Sequence, residues 1–578
     1  MARGEEPNGT GKIADLLVVG RRGQGRSVRK REIGFPRYPV AGVHRQNFGP
    51  KNITKKTVLS CQVGACTETI AAMMQKMTVT KGALRRLFLL VPGVTAACVG
   101  LAFAPNALAQ TSTLTGQQEV ETVSWALLTN QPPFNTDSAN LLTDGTVIVH
   151  QYNSNIWWRL TPDINGSYLN GTWTQLAGMQ SNYKPLYFAN AILPDGRLLV
   201  EGGEYNNLQP VWTNLGAIYD PLTNVWTPVN PPTGWANIGD SPGMVQPDGV
   251  FMMGHAGLGS NTQQALFNSS TLTWTGFNGA GKADTFSEEG FGLLPDGRVM
   301  VVDTQNIPNS ELYDPATMSW TSAGSTGVPL ADAGSLEIGA QLQRPNGTLV
   351  AFGGTPHTSI FNFATSTWTP GPDFPNSNDS ADGPAAELPD GNIILPASPG
   401  VFQGSNTMYI FDGTTFTQAP DTNSSRSLQS WQTRLLVLPT GQVMYLVADG
   451  RTKDVELLTS TGKPQNAWRP QIRSVAATLT RGITYQITGR QFNGLGIGSD
   501  YGDDALAATN YPIVRITNKA TRHVFYARTH DHSTMAIATG NQMVSTMFDV
   551  PAAAETGAST IEVVANGIGS RPKTVTIQ

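Results

Sequence analysis

The sequence predicts an all-β protein, a seven-bladed β-propeller followed by an immunoglobulin-like β-sandwich. Three observations lead there. A unit of strands and turns recurs seven times with a period near 50 residues, the composition is rich in glycine and proline and poor in charge, and a C-terminal stretch of alternating strands lies outside the repeat. Of 578 residues, 61 are Gly and 38 are Pro, while Asp, Glu, Lys and Arg together make up 14 %. That balance favours short strands and tight turns over helical bundles. The length exceeds what a single hydrophobic core fills, so more than one unit is expected.

Taken in order, residues 1–76 form a basic extension with Arg21, Arg22, Arg26, Arg29, Lys30 and Arg31 and little apolar periodicity, the pattern of a disordered segment. Met77 then opens a basic stretch, an apolar run from Leu87 to Phe103 and the small residues Ala107-Leu108-Ala109, which together read as a secretory signal peptide over 77–109. A retained signal anchor is the alternative. A start codon assigned too early would account for the extension. Cleavage after Ala109 removes Cys61, Cys66 and Cys98, leaving no disulfide, thiolate ligand or cysteine nucleophile. The expected destination is secreted or periplasmic, with no stable membrane insertion once the signal is removed.

Residues 110–468 carry the repeat. Each unit has an apolar strand, a turn, a second strand, a third strand and a closing aromatic. The turns fall at Asp144-Gly145, Asp195-Gly196, Asp248-Gly249, Asp296-Gly297, Asn346-Gly347, Asp390-Gly391 and Thr440-Gly441, spaced 44 to 53 residues apart. Asp-Gly and Asn-Gly predict two-residue hairpins in which both central residues take positive φ. The closing aromatics are Trp173, Trp226, Trp274, Trp320, Trp368, Phe416 and Trp468. One per unit at one position is a packing role rather than a ligand-stacking one. A closed ring leaves no long unpaired edge. Residues 469–578 lose the period but keep alternating strands, as in a β-sandwich.

Charge narrows the function. Residues 1–109 hold 17 Lys and Arg against 5 Asp and Glu, leaving 21 against 37 in the rest, a net charge near −16. A body so acidic is a poor nucleic-acid binder and an unpromising partner for acidic substrates. If each first strand begins eight or nine residues before its turn, the residues at its start converge on the axis: Tyr187, Asp240, Glu288, Glu337, Asp382 and Gln432, with Glu289 adjacent. Clustered carboxylates repel unless a cation or a shared proton offsets them. Two readings follow: a site for Ca2+ or another divalent cation or for a polyhydroxylated ligand, or carboxylates that merely pair with Arg or cap backbone amides.

Glycine-punctuated repeats of this kelch type, followed by Phe548-Asp549-Val550-Pro551 and Val563 to Ser570, resemble the galactose oxidase and glyoxal oxidase family of secreted copper-radical enzymes over roughly 130–578. The resemblance implies an early-set sandwich whose loop presents a histidine to copper through the axis. His530, in Arg528-Thr529-His530-Asp531-His532, stands at that position, with Asp531 and His532 as further metal-ligand candidates. Tyr187 matches the equatorial tyrosine, and Tyr205 takes the place of the stacking tryptophan. The axial tyrosine and second histidine are replaced by Trp431 and Gln432, and no cysteine stands in the Phe134 to Asn140 region. Copper wants imidazole nitrogen, which neither replacement supplies. The sequence therefore points to a monomeric binding protein for carbohydrate or a cell-envelope component through an acidic, aromatic-lined face, with no copper. The competing class is a divergent metal-dependent oxidoreductase acting on carbohydrate alcohols or aldehydes through His530, His532, Tyr187 and the carboxylates.

Overall fold

The computed structural model describes residues 122–256, 262–501 and 504–578. The basic extension, the signal peptide and the three cysteines lie outside them. All described residues belong to one compact unit. The protein is all-β: no described helix is long and apolar enough to cross a membrane, and the few helical turns are three-residue 3-10 segments.

Six four-stranded antiparallel sheets and one of five strands succeed one another along the chain. Their first strands are Thr136–Leu141, Ala189–Ile192, Gly243–Val245, Gly292–Leu293, Ile338–Gln343, Pro384–Glu387 and Thr433–Val437. Thr433–Val437 lies against Thr136–Leu141, so the last sheet neighbours the first. These first strands are buried throughout and contribute to the apolar clusters between sheets, including Ile192, Leu293, Leu342 and Leu435.

The turns differ from the predicted form in one respect. Gly145, Gly196, Gly249, Gly297, Gly347, Gly391 and Gly441 all have φ between +75° and +90°, but the residues before them do not. Instead Asp144 Oδ1 accepts the Thr146 N–H at 3.0 Å and Asp195 Oδ1 that of Arg197 at 3.0 Å, while the Gly145 N–H donates to Leu142 O at 3.0 Å. This is a three-residue hairpin, a turn capped by its own carboxylate and followed by one left-handed residue, which glycine fills without steric cost.

The closing aromatics hold one cross-strand position. Trp226 faces Tyr219, Trp274 faces Phe267, Trp320 faces Tyr313, Trp368 faces Phe361 and Phe416 faces Phe411. In the seventh sheet that place belongs to Trp125, opposite Leu458, because the fourth strand is Val123–Leu127 from the start of the described chain. Trp468 is displaced from the expected role: it sits in the 3-10 turn Asn466–Trp468 and approaches Gly391.

Beyond residue 470 the strands form one connected nine-stranded sheet with a core of its own, including Ile487, Val514, Phe548, Ile561 and Val575. A long excursion between Thr484–Arg490 and Ile513–Asn518 leaves that sheet. Ser499–Tyr501 pairs with Pro384–Glu387 as the fifth strand of the sixth sheet, and the Tyr511 hydroxyl donates to Leu141 O.

Candidate functional site

The site forms where the chain enters its first strands, at the end away from the hairpin turns. Tyr187, Glu288 and Asp382 each stand eight residues before their turn aspartate and have φ of 54°, 58° and 47°. Leu336, just before Glu337, has φ 74°. A left-handed non-glycine residue costs about 1–2 kcal/mol and persists only where its surroundings enforce it. Here the same kink recurs at equivalent positions in several sheets.

Three of these residues meet. A carboxylate oxygen from each of Glu288, Glu337 and Asp382 lies within 4.8 Å of the other two. Glu337 and Asp382 are hydrogen-bonded to each other, and burial raises the Asp382 carboxyl above its ordinary range. Glu204 joins from the loop after the second sheet's second strand. Burial, then the fields of Asp240 and Asp382, push it up to about 8. Five carboxyl groups thus share one region, and Glu204 among them favours its protonated form near neutral pH.

Aromatic rings border the group. Tyr187 stands edge-on to Tyr205 at 5.9 Å and to Trp431 at 6.1 Å between centroids. All three rings are partly open to solvent, as are Glu204, Glu288, Asp382 and Gln432. Trp431 donates its indole N–H to Gln429 Oε1, and Gln432 Oε1 accepts the Gln429 N–H at 3.0 Å, so both side chains are tied into their own 3-10 turn.

Beneath the rings lies a charged layer that the sequence reading missed. Arg434 is 4 % exposed, donates from Nη1 to Trp431 O at 2.7 Å and to Thr433 O at 2.9 Å, and stacks 4.0 Å over the ring of Tyr501. The Tyr501 hydroxyl donates to Trp431 O at 3.1 Å. Arg434 Nη2 is 3.9 Å from Asp137 Oδ1, and Asp137 Oδ2 is 2.8 Å from His150 Nδ1. His150 is fully buried with Nε2 2.7 Å from Ser154 O. One signal for this layer was in the sequence: Asp137 and His150 fall on the two strands joined by the Asp144-Gly145 hairpin, whereas nothing marked Arg434, which follows a 3-10 turn.

His530, Asp531 and His532 do not join this site. Val524–His530 runs along the turn end of the sheets: Arg528 Nη2 donates to Asp195 O at 2.7 Å and Thr529 N–H to Thr143 O at 3.1 Å. Tyr187 is at the other end of the strand that leads to Asp195, about 25 Å of extended chain away. His530 is instead held between Asp531 at 2.8 Å and Asp549 at 3.3 Å. His532 bonds Thr546 through Nδ1 at 2.8 Å, and burial, reinforced by His530, pushes its ring down to about 3. The segment that does enter between the sheets is 491–512, carrying Tyr501 and Asp504. Glu289 also faces elsewhere: Lys282 Nζ lies 3.0 Å from it, 2.7 Å from Glu311, and bonds Asp284, an ammonium filling a second carboxylate group.

The donor set decides which metal the site suits. Carboxylate oxygens from the segments leading into three first strands fit a hard cation such as Ca2+ or Mg2+. Copper(II) favours imidazole nitrogen, whereas the donors grouped here are carboxylates, a poorer match for copper than for a hard cation.

No protein-family model matches the chain, and no curated protein matches it. Among solved structures, a fungal alcohol oxidase described as having catalytic diversity among the AA5 family, in complex with copper, is similar at 14 % identity and a TM-score of 0.47, over 79 % of this chain and 99 % of that one. This likeness assigns the chain neither a family nor a role for any residue.

Proposed function

We propose that this is an exported, monomeric binding protein in which residues 110–468 form a seven-bladed kelch propeller and residues 469–578 an immunoglobulin-like sandwich. Its axial face binds a hydroxyl-rich ligand, a carbohydrate or cell-envelope component. One observation carries this reading: Glu288, Glu337 and Asp382, from three successive sheets, meet beside the partly exposed rings of Tyr187, Tyr205 and Trp431. Sugars offer hydroxyls that donate to carboxylates and C–H faces that pack on aromatic rings. The same three carboxylates would hold a divalent hard cation, and a bound Ca2+ would take hydroxyl oxygens as further ligands. The charged layer of Arg434, Tyr501 and Asp137 fixes the floor under Trp431.

The experiment is calorimetric titration of the secreted chain with soluble envelope oligosaccharides, with and without Ca2+. Trp431→Ala should lower carbohydrate affinity about tenfold, the equivalent of 1.4 kcal/mol. Stoichiometric copper in the purified protein, together with alcohol oxidation that releases hydrogen peroxide, would replace the binding reading with an oxidase.

A further inference from the structure

A second candidate site lies at the opposite end of the strands, where the seventh sheet's turn meets the C-terminal sheet. Two hollows of about 270 Å3 and 420 Å3 share Thr440, Arg515 and Glu562 and so form one groove. Its volume is in the range of ligand clefts. Its charged lining is Arg469, Arg515 and Arg522 against the single carboxylate of Glu562. In a body whose net charge is near −16, this local excess of guanidinium is the exception.

The three arginines are differently held. Arg515 donates to Glu562 Oε2 from Nε at 3.2 Å and Nη2 at 3.0 Å, and it is also hydrogen-bonded to Tyr526. It is therefore a fixed post at the waist of the groove. Arg469 donates to Gly569 O at 2.8 Å, and neither it nor Arg522 pairs with a carboxylate among the described residues. Arg469 lines one hollow and exposed Arg522 the other. Between them lie neutral groups that both donate and accept, Thr440, and Gln442 bonded to Thr459 at 2.9 Å.

We propose that this groove binds an acidic oligosaccharide, a chain of hydroxyl-bearing rings with carboxylate or sulfate groups spaced to reach Arg469 and Arg522. Guanidinium recognises both anions through paired N–H donors. The neutral lining suits the ring hydroxyls between them. The site is independent of the axial face: each of its contacts comes from the turn side of the molecule.

The test is calorimetry of the full secreted chain with a galacturonate hexamer, a heparin-derived hexasaccharide and neutral cellohexaose, at low and high salt. At least one acidic hexamer should bind, cellohexaose should not, and high salt should weaken binding through screening. The double variant R469A/R522A should lose at least about tenfold in affinity while still melting cooperatively, since Arg522 is exposed and half-buried Arg469 gives up one hydrogen bond, to Gly569 O. Whether the uronate or the sulfated chain binds more tightly identifies the anion. Failure of both acidic hexamers, equal binding of cellohexaose, or undiminished binding by the folded double variant would overturn the proposal.

Discussion

Asp382 combines two costs at one position, a left-handed backbone and a carboxyl forced into the company of Glu337 and Glu204. Asparagine accepts that backbone as readily as aspartate does and removes the charge. Asp382→Asn should therefore raise the melting temperature at pH 8, where repulsion is greatest, and leave it nearly unchanged at pH 4.5. The same variant should lose most of its Ca2+ affinity in calorimetry. A variant that keeps wild-type Ca2+ affinity would remove the cation from the reading of this site. Sequence alone placed Glu288, Glu337 and Asp382 at one register but could not place Arg434 or join it to the Asp137–His150 pair. A buried charge is stable only through partners such as Asp137, and such partners are fixed by folding rather than by composition.

The positions of the hairpins, though not their three-residue form, were legible because their chemistry is local. A glycine takes positive φ, and the aspartate just before it caps the turn by accepting the N–H two residues on. Trp125 was not legible for the opposite reason. Trp125 and Trp468 both lie near plausible spacing, and a repeat cannot say which chain end supplies the last strand. The excursion 491–512 was hidden in the same way, since strand alternation reveals which residues are buried but not against what. Val123–Leu127 is paired with Glu456–Ser460 over five residues. Removing residues 1–127 should expose the edge of the seventh sheet and give a chain that elutes as aggregate in size-exclusion chromatography. A monomeric, cooperatively melting truncation would show that the strand is dispensable.

Buried carboxyls set the pH response of the whole molecule. Burial raises Asp379 to about 6, Asp303 to about 7, and Glu387 and Asp500 to about 8, and it lifts Glu201 well above its ordinary value. Glu201 is fully buried, and neither of its oxygens has a hydrogen-bond partner. For each of these groups the folded state binds the proton more tightly than the unfolded chain does. Their contribution to stability is complete below about pH 4, declines as pH rises, and is gone above the folded values. Asp412 and Asp549 act in reverse: hydrogen bonds hold them low, so they favour the fold once pH exceeds their unfolded value. Thermal melts should accordingly peak near pH 5 and fall by several degrees by pH 8. A flat profile over that interval would mean the carboxyls ionise without cost.

Val123–Leu127 leaves the ribosome long before Glu456–Ser460, and the two must find each other across more than 300 residues. Loop closure over such a separation adds little to the equilibrium cost, because the entropy grows only logarithmically with length. Its effect is on timing. Six modules can assemble while the clasp has no partner, and cooperative stability arrives only when the last one is complete.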